Sequence, residues 1–126
     1  MDGSHPILAE IEAEKNAQMN IQTPPENFYY SAPMVLILSG DKSFPWSGLD
    51  AGIMVENIAL AAEGLGLGSV IIGVIKGAMS GTKADYFAKV LKVPENYEFK
   101  VAIAIGHKAV EKEPHEYDMG KNVSYV

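Results

Sequence analysis

The chain has 126 residues, 48 % of them apolar, with no cysteine and a formal net charge of −6. Residues 1–126 therefore predict a single globular domain with one core. The acid excess excludes nucleic acid and anionic membrane surfaces, which need a basic footprint, and the missing cysteines exclude disulfides and thiolate chemistry.

In chain order, Ser4 and Pro6 read as an N-cap and an early-turn proline. Ile7, Leu8, Ile11 and Gln18–Met19 follow at helical spacing, so residues 6–19 predict an amphipathic helix. Its acids Glu10, Glu12 and Glu14 are expected on the solvated face. Thr23-Pro24-Pro25 makes residues 20–27 a loop. Met34 to Leu38 is a short, wholly apolar run and predicts a buried strand. Ser39 to Trp46, with Gly40, Asp41 and Pro45, predicts a turn-rich connection. The aromatics Phe28, Tyr29, Tyr30, Phe44 and Trp46 flank this strand; they either pack on its ends or wall a site for an aromatic substrate.

A long apolar helix is predicted next, from about Gly48 to Leu65. Leu49, Ile53, Leu60 and Gly64 lie on one side, and Met54, Ile58, Ala61 and Leu65 cover the adjacent one. A helix apolar nearly all round must be covered on most sides. One chain of this size covers only part of it, so a partner subunit or a large flat cofactor is expected on the rest. The prediction is a homodimer built on this helix. Gly64, Gly66 and Gly68 then end it, because glycine takes the left-handed conformation of a helix C-cap. A dinucleotide-binding fingerprint needs a strand before its glycines and a helix after them; the order here is the reverse. Ser69 to Gly73 is the second predicted strand.

Thr82 with Asp85 resembles a capping box, opening a helix over residues 83–92 whose apolar face is Ala84, Phe87, Ala88 and Leu91. Pro94 stops it. Phe99 to Ile105 is the third predicted strand, ended by Gly106. Residues 107–121 read as a loop or extended arm, and Asn122 to Val126 as a last strand that could add to another chain's sheet. No apolar run reaches the ~18–20 residues of a membrane span. The opening MDGSHPILAE lacks a leader pattern, and with the missing cysteines this makes a cytoplasmic location the expectation.

The three histidines, His5, His107 and His115, match no metal spacing, and no carboxylate pair or serine elbow stands out around Ser69. No metal and no catalytic side chain are therefore expected. All ten basic residues are lysines. Without arginine, bidentate phosphate forks are unavailable within the chain, and a phosphate must be held by lysine, hydroxyl or backbone N–H groups.

Several pieces together resemble the nitroreductase family of flavin enzymes: Phe28 to Pro33, Asp50-Ala51-Gly52, Glu56-Asn57, Leu60-Ala61-Ala62, Leu65 to Ser69, and Ile103-Ala104-Ile105-Gly106-His107. The resemblance spans about Phe28 to Val126. It implies an α/β (α+β) fold, a small central sheet flanked by helices, dimerised on the long apolar helix. It implies FMN as cofactor, NAD(P)H as co-substrate and a small-molecule electron acceptor such as a nitroaromatic or quinone. It places Ile72, Gly73 and Val74 against the flavin ring, and Lys121 near the flavin phosphate. The family's opening R-R-S-x-R-like segment and later S-x-N-x-Q segment are missing, so the chain is expected to be an N-terminally shortened member with loosely held phosphate. The alternative is a flavin-free shortened member serving as a binding or structural module.

Overall fold

A computed structural model describes residues 1–24 and 26–124. Helix α1 (Pro6–Gln18) is capped by His5, whose Nδ1 accepts the Ile7 N–H at 3.2 Å, and Pro6 occupies the first turn, where its missing N–H costs nothing. The expected Ser4 cap is not used; Ser4 turns back onto the Asp2 carboxylate. Strand β1 (Met34–Asp41), helix α2 (Ser47–Gly64) and strand β2 (Gly68–Ile72) follow. Then come the short helix α3 (Lys76–Ser80), helix α4 (Ala84–Val90), strand β3 (Tyr97–Gly106) and a last short helix, α5 (Met119–Asn122).

The three strands form an antiparallel sheet in the order β1-β3-β2. β1 is longer than its apolar run. Ser39, Gly40 and Asp41 pair with Phe99, Glu98 and Tyr97 after a bulge that leaves Lys100 unpaired. The bulge flips the side-chain alternation. Phe99 and Ala102, three residues apart, therefore share one face, while Val101 and Ile103 share the other. Met1 pairs with Val35 on the outer edge of β1, donating through its terminal amine at 3.0 Å and accepting at 2.9 Å.

Helices cover both faces of the sheet. On one side α1, α3 and α4 press Ile7, Leu8, Ile11, Ala78, Met79 and Phe87 onto Val35, Ile72, Phe99, Ala102 and Ala104. On the other, α2 alone contributes Val55, with Ile58 and Ala59, against Leu36, Leu38, Val101, Ile103 and Ile105. The glycine cluster ends α2 as expected. Gly66 takes φ +72, its N–H reaches Glu63 O at 2.9 Å, and Leu67 N–H reaches Ala62 O at 2.9 Å. That pair of bonds is a Schellman closure.

Several sequence expectations are corrected. α3 is unforeseen, because five residues give no readable period; Ala78 and Met79 form it by packing on the core. The Thr82 capping box does not form. Lys83 is the N-cap residue without a side-chain bond, and the Gly81 carbonyl accepts the Ala84 N–H at 3.1 Å instead. Within the expected arm, Asp118 caps α5 by accepting from Gly120 N–H at 3.0 Å. Of the predicted last strand, Asn122 is helical and Val123 and Ser124 form no strand; Tyr125 and Val126 lie outside the described residues.

The acids of α1 are not all solvated either. Glu12 is mostly buried and accepts from Lys15 at 2.9 Å, Asn16 at 3.0 Å and the Phe28 N–H at 2.9 Å. Burial raises its carboxyl, but these three donors outweigh it, and the group stays below the ordinary value.

Candidate functional site

The chain leaves the sheet where β2 ends. Ile72 pairs with Ala102 and points into the core, and Ile75 is fully buried again three residues later. Between them Gly73 and Val74 form an exposed turn, with Gly73 O accepting the Lys76 N–H at 3.0 Å. A side chain built on Gly73 would meet no heavy atom within 4 Å. The packing of the chain therefore does not require glycine here, yet its absent side chain leaves backbone open to a flat ligand.

Because β2 stops opposite Ala102, the first half of β3 has no neighbour on that side. The gap is a cavity of about 570 Å³, within the range of small-molecule sites. The inner face of α2 (Gly48, Ala51, Gly52, Val55), then Lys76, Met79 and Ser80 of α3, the start of α4 and Tyr97 to Val101 of β3 line it. Val55 from the α2 face and Met79 and Phe99 from the opposite face give it apolar lining. Lys42, Lys76 and Lys100 also line it. Lys100 donates to Glu98 at 2.8 Å, and its stem lies across β1 at Gly40, where a Cβ would come within 3.0 Å of Lys100 Cε. The Lys100 hydrogen bond, with Lys42 and Lys76 further off, holds the Glu98 carboxyl below its usual range.

The four residues expected at a cofactor differ in their surroundings. Ile72 anchors the strand end from inside, Gly73 and Val74 face out, and Lys121 sits on α5 with its side chain 82 % exposed, 3.2 Å from Asp118 Oδ2. α5 buries no residue, so packing does not fix Lys121 beside the turn. The aromatic set differs in the same way. Phe28 is buried, with Tyr29 edge-on to it at 5.1 Å, whereas Tyr30, Phe44 and Trp46 are exposed. Sequence reasoning missed the three lysines around the cavity. Nothing in positions 42, 76 and 100 links them; the only hint was a chain whose cations are all lysine. Among the described residues no group of three His, Cys, Asp or Glu side chains is placed to hold a metal ion. No helix among them is long and apolar enough to cross a membrane.

A sheet covered by helices on both faces, with a cavity at the end of its short edge strand, defines a three-layer mixed α/β protein. The nitroreductase family profile matches residues 5–107, and the chain belongs to that family. A nitroreductase of Desulfitobacterium hafniense DCB-2, solved with bound FMN, is similar over 98 % of this chain and 72 % of its own, at 29 % identity and a TM-score of 0.84. An FMN-dependent nitroreductase of Clostridium difficile R20291 is similar over 98 % of this chain and 75 % of its own, at 25 % identity and a TM-score of 0.79. A nitroreductase of Bacteroides fragilis NCTC 9343, also solved with FMN, shares the fold over 95 % of this chain and 68 % of its own, at 24 % identity and a TM-score of 0.80. No curated protein matches the chain.

The residues present fit one end of an FMN molecule. The open turn at Gly73 leaves room for a flat ring beside its backbone. For the phosphate the chain offers lysine as its only strong cation, beside hydroxyl and backbone N–H groups.

Proposed function

We propose that the chain is an FMN-dependent oxidoreductase that takes reducing equivalents from NAD(P)H and passes them to a small acceptor such as a nitroaromatic or quinone. The observation that carries this reading is the open Gly73 turn at the end of β2, in a member of a family whose solved relatives hold FMN. Bound FMN would supply the hydride-accepting and electron-donating chemistry, which is the cofactor's own. The chain's part is placement. Ile72, buried in the core, fixes the strand end, so the Gly73–Val74 backbone is presented on a rigid element. Gly73 lets that backbone approach a ring closely, and the exposed Val74 side chain gives the ring an apolar neighbour. Lys121 holds the phosphate as a point charge, for which it must leave Asp118.

The reading includes a homodimer. Leu49, Ile53, Met54, Leu60 and Leu65 all point away from the sheet and are exposed in the single chain. Burying such side chains in a partner contributes about 1.5–3 kcal/mol each when complete.

The test is flavin titration followed by absorbance and fluorescence. Gly73→Leu is expected to abolish FMN retention while circular dichroism and melting stay unchanged, because a Cβ at this exposed position meets no heavy atom within 4 Å. Unchanged flavin content in that variant would move the site elsewhere. FMN is expected to bind better than riboflavin, by a margin that Lys121→Ala removes. The margin should also fade as the Debye length falls from ~10 Å at 0.1 M salt to ~3 Å at 1 M.

A further inference from the structure

We propose that the cavity beside the end of β2 binds a small aromatic acid, its ring against the apolar lining that Val55, Met79 and Phe99 contribute and its carboxylate drawn to Lys42 and Lys76. The proposal names a class for the electron acceptor and rests on the oxidoreductase reading for turnover; the binding stands on the cavity alone.

Four observations carry it. The cavity, about 570 Å³, is large enough for a one-ring molecule, and Val55, Met79 and Phe99 are buried side chains that present apolar surface to it. Lys42 follows the end of β1 and Lys76 opens α3, so two elements far apart in sequence each bring a lysine to the lining of one cavity. Neither has an acidic partner within 4.0 Å among the described residues, whereas Lys100 in the same lining is taken up by Glu98 at 2.8 Å. Finally, the chain carries a net charge of −6, yet three lysines face only Asp85 and Glu98 around this cavity. A cavity lined by apolar side chains and by lysines without acidic partners is complementary to a molecule that is apolar at one end and anionic at the other. A cation is disfavoured, because the Glu98 carboxylate is already engaged.

The test is calorimetric titration of the purified chain with 4-nitrobenzoate and with 4-nitrobenzyl alcohol, which has a similar ring but no charge. Flavin absorbance is recorded for every sample. The acid is expected to bind about tenfold more tightly than the alcohol at low salt. Each lysine supplies about two- to fivefold, as partly exposed ion pairs do. Lys42→Gln with Lys76→Gln should erase the preference, Lys42→Arg with Lys76→Arg should keep it, and 1 M salt should flatten it. These are exposed positions, so the glutamine pair is expected to fold as the parent does. Equal binding of acid and alcohol overturns the proposal, as does a preference that survives the glutamine pair. If the glutamine pair loses flavin but keeps its acid preference, the lysines hold the cofactor's phosphate and the proposal fails. If the chain holds no flavin at all but shows the lysine-dependent preference, the binding site stands and the oxidoreductase reading falls.

Discussion

The two faces of the sheet are built differently. On the α1/α3/α4 side three helices close over the strands, and Ile7, Leu8, Ile11, Ile75 and Phe87 are almost wholly out of solvent. On the α2 side a single helix lies on the strands. It buries only Ser47, Ala51, Val55 and Ala62, while Ile53 and Leu60 are more than half exposed. The first side is a finished core. The second is half a core, with an apolar helix whose outer surface is left exposed among the described residues. Stability of the single chain therefore resides mainly on the first side, and the proposed association rests on the second.

Substitutions on the two sides should differ accordingly. The largest effect is expected at Phe87, which is fully buried between α4 and the sheet. Phe87→Ala removes a ring and leaves a cavity, a loss of about 3–5 kcal/mol that denaturant unfolding would measure. A change below 1 kcal/mol would mean that the first side is not the stabilising one.

Glu12→Ala comes next, at about 2–3 kcal/mol. It leaves the buried Lys15 ammonium without its partner and the Phe28 N–H without its acceptor. The same carboxyl gives the first face a pH signature. Its folded value lies below the ordinary 4.5, so its contribution is complete above 4.5 and lost as pH falls through the folded value. Melting temperature against pH should drop in that acid range for the parent and less so for Glu12→Gln.

Gly66→Ala is smaller, about 1 kcal/mol, because a side chain at φ +72 is strained although the space around it is empty. The smallest effect on the single chain is expected from Ile53→Glu with Leu60→Glu, within about 0.5 kcal/mol by dilute unfolding, since both side chains already face solvent. The same pair should convert a dimer to a monomer in light scattering. A parent that is already monomeric at micromolar concentration would break the comparison on this side.

Much of the fold was legible because it rests on short-range rules. The Gly66 closure of α2, the apolar runs of β1, β2 and β3 and the periodic face of α4 are local patterns. They appear within one or two residues of where they were expected, apart from the end of β1, which runs three residues further. The turn at Gly73 was legible for the same reason, since a glycine after a β-branched run marks a strand end.

Other features depend on partners distant in sequence. Ser39 to Asp41 read as a turn, yet they extend β1 because Tyr97 to Phe99 offer an antiparallel ladder across a bulge. Glu12 read as solvated, yet the Phe28 N–H arrives above it from a loop sixteen residues on. Lys42, Lys76 and Lys100 line one cavity only because β2 ends one residue before Gly73 and leaves half of β3 uncovered. Local sequence thus determined which segments could be helix or strand, since backbone preference and side-chain periodicity act over a few residues. The tertiary structure decided which polar groups are buried and which charges meet, since those depend on desolvation and on contacts between segments that only the packed sheet brings together.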